Sequence, residues 1–219
     1  MSVFSRADFN AMIAIGSKEG VIQENESKII TNLMRFEQVL TRDIMTPRMV
    51  VKAAPSSTKI QDFFEANRTL RFSRIPIYDD RIDNVTGFIL KDRLLTKIIN
   101  EEGQSALKEI EREILIVHES MPIPKLFQKL MTEREHIALV VDEFGGMEGI
   151  VTMEDVIETL LGLEIVDESD QNVDMQLLAR KKWEERARRL GLLEALNTEI
   201  AEQDEDTKVV ESTTLSDKQ

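Results

Sequence analysis

The sequence contains no cysteine, which excludes disulfides, thiolate metal sites and cysteine nucleophiles, though it leaves the compartment open. Histidine is nearly as scarce. His118 and His136 are the only two, too few for a multi-histidine metal centre. No apolar run approaches the roughly 18–20 residues that span a bilayer. The opening MSVFSRADFN lacks a signal-peptide pattern, so the chain as given is expected to be soluble. Positive charge is short as well: 28 Lys and Arg stand against 41 Asp and Glu, a formal net charge of −13. That balance argues against non-specific DNA or RNA binding, and nucleic acid is not an expected partner. A P-loop pattern, a nucleophile elbow and a partner set for either histidine are all missing, so no enzymatic activity is expected.

What is present suffices for one large domain or two small ones, with 42% of 219 residues hydrophobic. Residues 1–42 read as a helical lead-in. Ser5 and Asp8 form an S-x-x-D capping box, Phe9, Met12 and Ile13 follow at helical spacing, and Gly16 and Gly20 punctuate the end. A second helix is expected from Glu24, with Ile29, Ile30, Leu33, Met34 and Phe36 on its apolar face. Residues 43–100 and 113–163 read as two repeats joined by a linker helix at 101–112. An acidic linker (164–176), a basic amphipathic helix (177–197) and a disordered tail (198–219) complete the expected division. The 177–197 helix suits either anionic lipid or ordinary docking through Leu177, Leu178, Leu190 and Leu193, and the second is favoured.

The repeat decides the fold class. RIPIY (74–78) and VTGFIL (85–90) are β-like runs, matched by HIALVVD (136–142) and MEGIVT (147–152). An offset of 62 carries Gly149 onto Gly87, Asp142 onto Asp80 and Ile137 onto Ile75. A helix at 59–70, capped by Thr58 with Gln61, precedes the first pair. One from about Ile123 to Glu133, with Pro122 or Pro124 in its first turn, precedes the second. Helices at 92–100 and 154–162 follow the two pairs. Each half is therefore a β-α-β-β-α unit, giving an α/β chain in which two units pack sheet to sheet. The glycines of Asp142-Glu143-Phe144-Gly145-Gly146 suit a hairpin better than a metal loop.

The string VVDEFGGMEGIVTMED (140–155), with MTP (45–47), SRIPIY (73–78) and GFILKD (87–92), resembles the tandem CBS domains of the CorC/cyclin-M magnesium transporter family, also described as haemolysin-like. The lead-in at 19–48 resembles the segment joining that family's membrane domain to its CBS pair. The resemblance implies a Bateman module, two CBS repeats about a pseudo-twofold axis with extra helices at both ends. It also implies that the chain is the cytosolic part of a longer membrane protein, on the cytoplasmic face of the membrane, partnered by a membrane-spanning domain of the same polypeptide.

Thr152 and Asp155 are the strongest site candidates. A strand ends at Thr152 and a helix begins, so helix N–H groups and a hydroxyl face one side, and the Asp155 carboxylate suits ribose hydroxyls. T-x-x-D is equally a capping box that needs no ligand. The family resemblance favours an adenine nucleotide, ATP above all, and adds Thr46, Phe72, Ser73, Arg74 and Pro76 to the site. Phe72 would stack on adenine or else pack in the core; Arg74 would meet phosphates or else pair with the Asp79/Asp80 region. At the matching place the first repeat has Leu90 instead of a hydroxyl and Asp92 one position early, so one nucleotide per chain is expected. The acidic chain makes Mg²⁺-bound ATP a better ligand than the free triphosphate. The apolar surplus of Val156, Ile157, Leu160 and Leu161 suggests a homodimer through the flanking helices. A soluble energy sensor for an enzyme partner and a ligand-free dimerisation domain are the alternatives.

Overall fold

A computed structural model describes residues 5–162, so the acidic linker, the 177–197 helix and the tail lie outside the described residues. In chain order the elements are α1 (Arg6–Lys18), α2 (Glu24–Arg35), α3 (Thr41–Ile44), β1 (Thr46–Pro47), β2 (Ala54–Pro55), α4 (Ile60–Ala66), β3 (Arg74–Tyr78), β4 (Val85–Leu90), α5 (Lys91–Ile99), β5 (Leu115–His118), α6 (Ile123–Glu133), β6 (Ile137–Val141), β7 (Met147–Thr152) and α7 (Met153–Leu161). They form a mixed α/β fold with one sheet ordered β1-β7-β6-β5 and another ordered β2-β3-β4. The Val- and Ile-rich runs become the hairpins β3–β4 and β6–β7, whose branched side chains suit a pleated, half-buried surface. Pro124 sits in the first turn of α6, where its missing N–H costs nothing. The 142–146 segment is a hairpin turn. The Asp142 carboxylate accepts the N–H groups of Phe144 (2.8 Å) and Gly146 (2.7 Å), while Gly145 takes a φ of 82°.

Several expectations need correction. The repeat offset is not constant. Arg74 pairs with Leu90 as Ile137 pairs with Thr152, so the first strands of the hairpins correspond at 63 and the second strands at 62. The first hairpin loop is one residue longer, and Ile137 therefore matches Arg74, not Ile75. Helix α4 is capped at Lys59 without a side-chain bond, so Thr58 is not its cap, and it stops at Ala66 instead of residue 70. Its counterpart α6 keeps that last turn. In α4 the Asn67 side chain donates to the Phe63 carbonyl at 2.9 Å, competing with the backbone ladder, and the chain unwinds. Gly16 lies inside α1 against Ile22; Gly20, with φ 73°, makes the turn.

The linker helix expected at 101–112 is instead a short 3-10 turn, Leu107–Ile110, within a second lead-in. Leu40 bridges to Pro122, and Ala106 bridges to Lys59. Strand β1 pairs with β7, while Arg112 exchanges both backbone bonds with Phe88 on β4 (3.0 and 2.8 Å). Each repeat's lead-in thus crosses to the other repeat's sheet. Glycine permits both crossings: a Cβ on Gly149 would collide with the Thr46 carbonyl, and one on Gly87 with the Arg112 carbonyl.

Two cores follow from this exchange. Leu107 and Ile110 of the second lead-in join Ile60, Ile75, Ile77, Ile89 and Leu94 of the first repeat. Met45 of the first lead-in joins Leu126, Leu130, Val140, Val151 and Val156 of the second, with Val39 and Ile44 packed against them. Between the sheets, Leu139, Met147 and Ile150 meet Val51, Ile82, Val85 and Ile114. Helix α1 has the expected Ser5–Asp8 cap, and Arg6 ties it to the end of α2 through Glu37 (2.9 Å) and the Met34 carbonyl (3.2 Å). Helix α2 packs in turn on α7, where Asn32 stands against Gly162.

Candidate functional site

Strand β7 delivers Thr152 in extended conformation directly to the first turn of α7. The Thr152 backbone N–H and hydroxyl both donate to Oδ2 of Asp155 (2.6 and 2.8 Å), and the Asp155 N–H donates back to the Thr152 hydroxyl at 3.3 Å. Both residues are half-buried. The pair is therefore a complete capping box, and a ligand reaching it meets a carboxylate and hydroxyl already fixed in place. Thr46 stands on the neighbouring strand, in register with Ile150 and two residues from the α7 cap.

Phe72, Ser73 and Arg74 gather at the start of β3, in the other sheet. Phe72 is 40% exposed, so it is not a core residue. Pro76 is buried farther along β3, opposite Phe88. The alternative for Arg74, an ion pair with the Asp79/Asp80 region, meets a competitor. Asp79 lies at the far end of β3, where the buried Ser56 hydroxyl donates to its carboxylate and the Lys108 ammonium stands 3.6 Å away. The Ser56 bond, aided by Lys108, holds the Asp79 carboxyl below its ordinary range.

Register connects the two groups. Thr46 opposes Ile150 as Arg112 opposes Phe88, and Phe72 precedes β3 by the two residues by which Glu135 precedes β6. In the first-repeat junction Arg112 and Glu135 form an ion pair at 2.9 Å, with the guanidinium 5.4 Å from the centre of the Phe88 ring. The pseudo-twofold relation therefore gives Thr46 and Phe72 matched places at the second-repeat junction, beside the Thr152–Asp155 cap. One junction is bridged by the chain's own charges; the other presents a hydroxyl, an aromatic ring and a helix N-terminus.

Arg112, Glu135 and the reason for the paired glycines were missed in the sequence. The Gly87–Gly149 match was the available signal. Its meaning requires the lead-ins, which correspond at 66 residues instead of 62 and so escape a constant offset. Among the described residues no cluster of three His, Asp or Glu side chains is placed to hold a metal, and no helix is long and apolar enough to cross a membrane.

The two exchanged lead-ins around paired hairpins are the architecture of a CBS pair, and residues 107–162 match the CBS domain family. A solved CBS domain of a bacterial CNNM/CorC family Mg²⁺ transporter is 32% identical, with a TM-score of 0.69 over 75% of this chain and 100% of that one. A structure described as the same kind of domain in complex with ATP is 33% identical, with a TM-score of 0.60 over 63% of this chain and 98% of that one. Among curated relatives, a UPF0053 protein of Synechocystis is 38% identical over 81% of this chain and 51% of its own length. Hemolysin C of Rickettsia prowazekii is 40% identical over 68% of this chain and 49% of its own length. The chain belongs to the CNNM/CorC family and carries that family's CBS fold. It spans about half the length of the curated relatives it matches.

Proposed function

We propose that the chain is a regulatory module that binds an adenine nucleotide, Mg-ATP in particular, on the cytosolic side of a divalent-cation transporter of this family. The observation that carries this reading is the inequality of the two junctions. Where the first has Leu90 and the Arg112–Glu135 bridge, the second has Thr152, Asp155, Thr46 and Phe72. That donor set fits a nucleotide: carboxylate for ribose hydroxyls, hydroxyl and helix N-terminus for oxygen atoms, aromatic ring for the base. Arg74 supplies a cation for phosphate. In this reading Mg²⁺ is held by the phosphates and arrives with them. The relative solved with ATP supports the same ligand class.

The output is a change in angle between protomers of a homodimer, transmitted through the N-terminal helices. Helix α2 rests on α7, whose first turn carries the site, so a ligand that prefers one α7 position biases α2 and α1 with it. Coupling of this kind is typically about 1–3 kcal/mol, enough to bias a gate and too small to drive transport. The chain has no expected catalytic role.

Calorimetric titration of the purified chain with ATP, ADP and AMP, each with and without Mg²⁺, tests the proposal. One site per chain is expected, and Asp155→Ala should weaken it. No heat with any nucleotide overturns the reading. Light scattering at tens of micromolar should give a dimer mass. Labels near residue 18 should report a changed inter-protomer distance with saturating Mg-ATP; identical distributions would leave binding without an output.

A further inference from the structure

The segment carrying Phe72 is irregular, because α4 loses its last turn and the chain from Asn67 to Ser73 forms neither helix nor strand. Arg71, Phe72 and Ser73 are all exposed. An aromatic ring on such a segment would sample many positions, and ordering it on ligand binding would cost affinity. The first residue of α5 counters this. The Lys91 ammonium donates to the Leu70 carbonyl at 2.8 Å, and the Lys91 backbone N–H donates to the Ser73 carbonyl at 2.9 Å. Leu70 itself packs against the first core. One half-buried lysine therefore grips the chain on both sides of Arg71 and Phe72.

The second repeat has no need of the side-chain half of this grip. Its matching backbone bond is present, from the Met153 N–H to the His136 carbonyl at 3.1 Å, but Met153 is buried and apolar. There α6 runs on to Glu133 and closes through a left-handed Arg134 whose N–H bonds back to the helix. Glu135, the counterpart of Phe72, is held by Arg112. The lysine stands only where the ring-bearing segment has lost its helical support.

We infer that Lys91 is a positioning residue of the nucleotide site: by fixing the Leu70 and Ser73 carbonyls it sets where the Phe72 ring stands, and so pre-organises the surface that receives the base. The inference rests on the proposed nucleotide reading. It differs from direct contact between Lys91 and phosphate, because its effect must pass through Phe72.

The test is a double-mutant cycle on the full chain, read by Mg-ATP calorimetry for the wild type, Lys91→Met, Phe72→Ala and the double variant. Lys91→Met should weaken binding about tenfold, and in the Phe72→Ala background it should weaken it no further, the non-additivity expected of residues acting as one unit. Lys91→Arg, which can still donate to Leu70, should recover most of the affinity. Without nucleotide, Lys91→Met should speed amide hydrogen exchange at 71–73 while the amides of α4 and β3 stay protected. Equal affinity of Lys91→Met and wild type overturns the inference. So does the same loss in both backgrounds, which would mean a direct contact or a general structural effect. A wild-type chain that binds no nucleotide overturns the nucleotide reading instead, and unchanged exchange at 71–73 would then refute the grip as well.

Discussion

The two junctions of this molecule share a backbone plan and differ in what the side chains do with it. At both, a lead-in from the opposite repeat lies against a glycine on the second hairpin strand, Thr46 over Gly149 and Arg112 over Gly87. At the first-repeat junction the lead-in brings a guanidinium that pairs with Glu135 and lies over Phe88, and α5 has Leu90 at its N-cap with no side-chain bond. At the second, the lead-in brings a threonine and α7 begins with a complete Thr152–Asp155 cap. A twofold scaffold duplicated in sequence uses both halves for packing, and in the proposed reading only the second junction serves recognition. The side chains that make the junctions unequal, Leu90, Arg112 and Glu135 at one and Thr46, Phe72, Thr152 and Asp155 at the other, all lie outside the two cores.

Filling the glycine gaps should produce the largest effects and break the comparison cleanly. Gly149→Ala and Gly87→Ala each drive a Cβ into a backbone carbonyl that cannot rotate away, and each should cost about 3 kcal/mol in denaturant unfolding. Only Gly149→Ala should also weaken nucleotide binding, since it displaces Thr46. Equal loss of binding in both variants would show that the junctions are not functionally distinct.

A nucleotide at 100 times its Kd should stabilise the wild type by about 2.7 kcal/mol, seen as a rise of several degrees in Tm. Arg112→Ala should leave that increment intact and Thr152→Val should reduce it. Building the missing cap into the other repeat, Leu90→Thr with Arg93→Asp, should stabilise the apo chain by about 1 kcal/mol. The stoichiometry should remain one, because Arg112 and Glu135 still bridge that junction. A second equivalent in calorimetry would mean the bridge is no barrier.

The smallest effects sit at the charged contacts. Arg112 and Glu135 are partly exposed, with side chains 43% and 21% accessible, so Glu135→Gln should cost about 1 kcal/mol or less. Asp79 gives a pH signature confined to the first repeat. Its carboxyl is depressed by the Ser56 hydroxyl first and by Lys108 after it, so its contribution is present above the ordinary value of 3.8 and is lost as pH falls through the lower folded value. Ser56→Ala should flatten that acid limb of the stability curve below about pH 4 and leave the neutral region parallel.

Much of this was legible beforehand, and the failures are instructive. The runs 74–78, 85–90 and 147–152 are β3, β4 and β7 without adjustment, because short Ile- and Val-bearing runs that bracket turn segments suit a buried sheet. Helix α6 keeps the expected bounds, since Pro124 fixes its first turn and its apolar spacing is regular. The expected end of α4 failed because Asn67 bonds its own backbone, a local choice that propensity alone does not rank. The offset of 62 failed because one extra residue in the first hairpin loop shifts β3 against its counterpart while leaving the glycines aligned. Thr152 and Asp155 could be read either as a cap or as a site, and the structure shows the cap.

The sequence by itself determined the elements and their duplication, because periodicities of two and 3.6 residues, caps and turn glycines act over a few residues at a time. Only the tertiary structure decided that the lead-ins change places. Thr46-Pro47 is two residues long and Leu107–Ile110 is a single turn, too short to carry a period. Their partners are set by which sheet edge and which core have room for them. That exchange puts Arg112 beside Glu135 at one junction and leaves Thr46 to stand with Thr152 at the other.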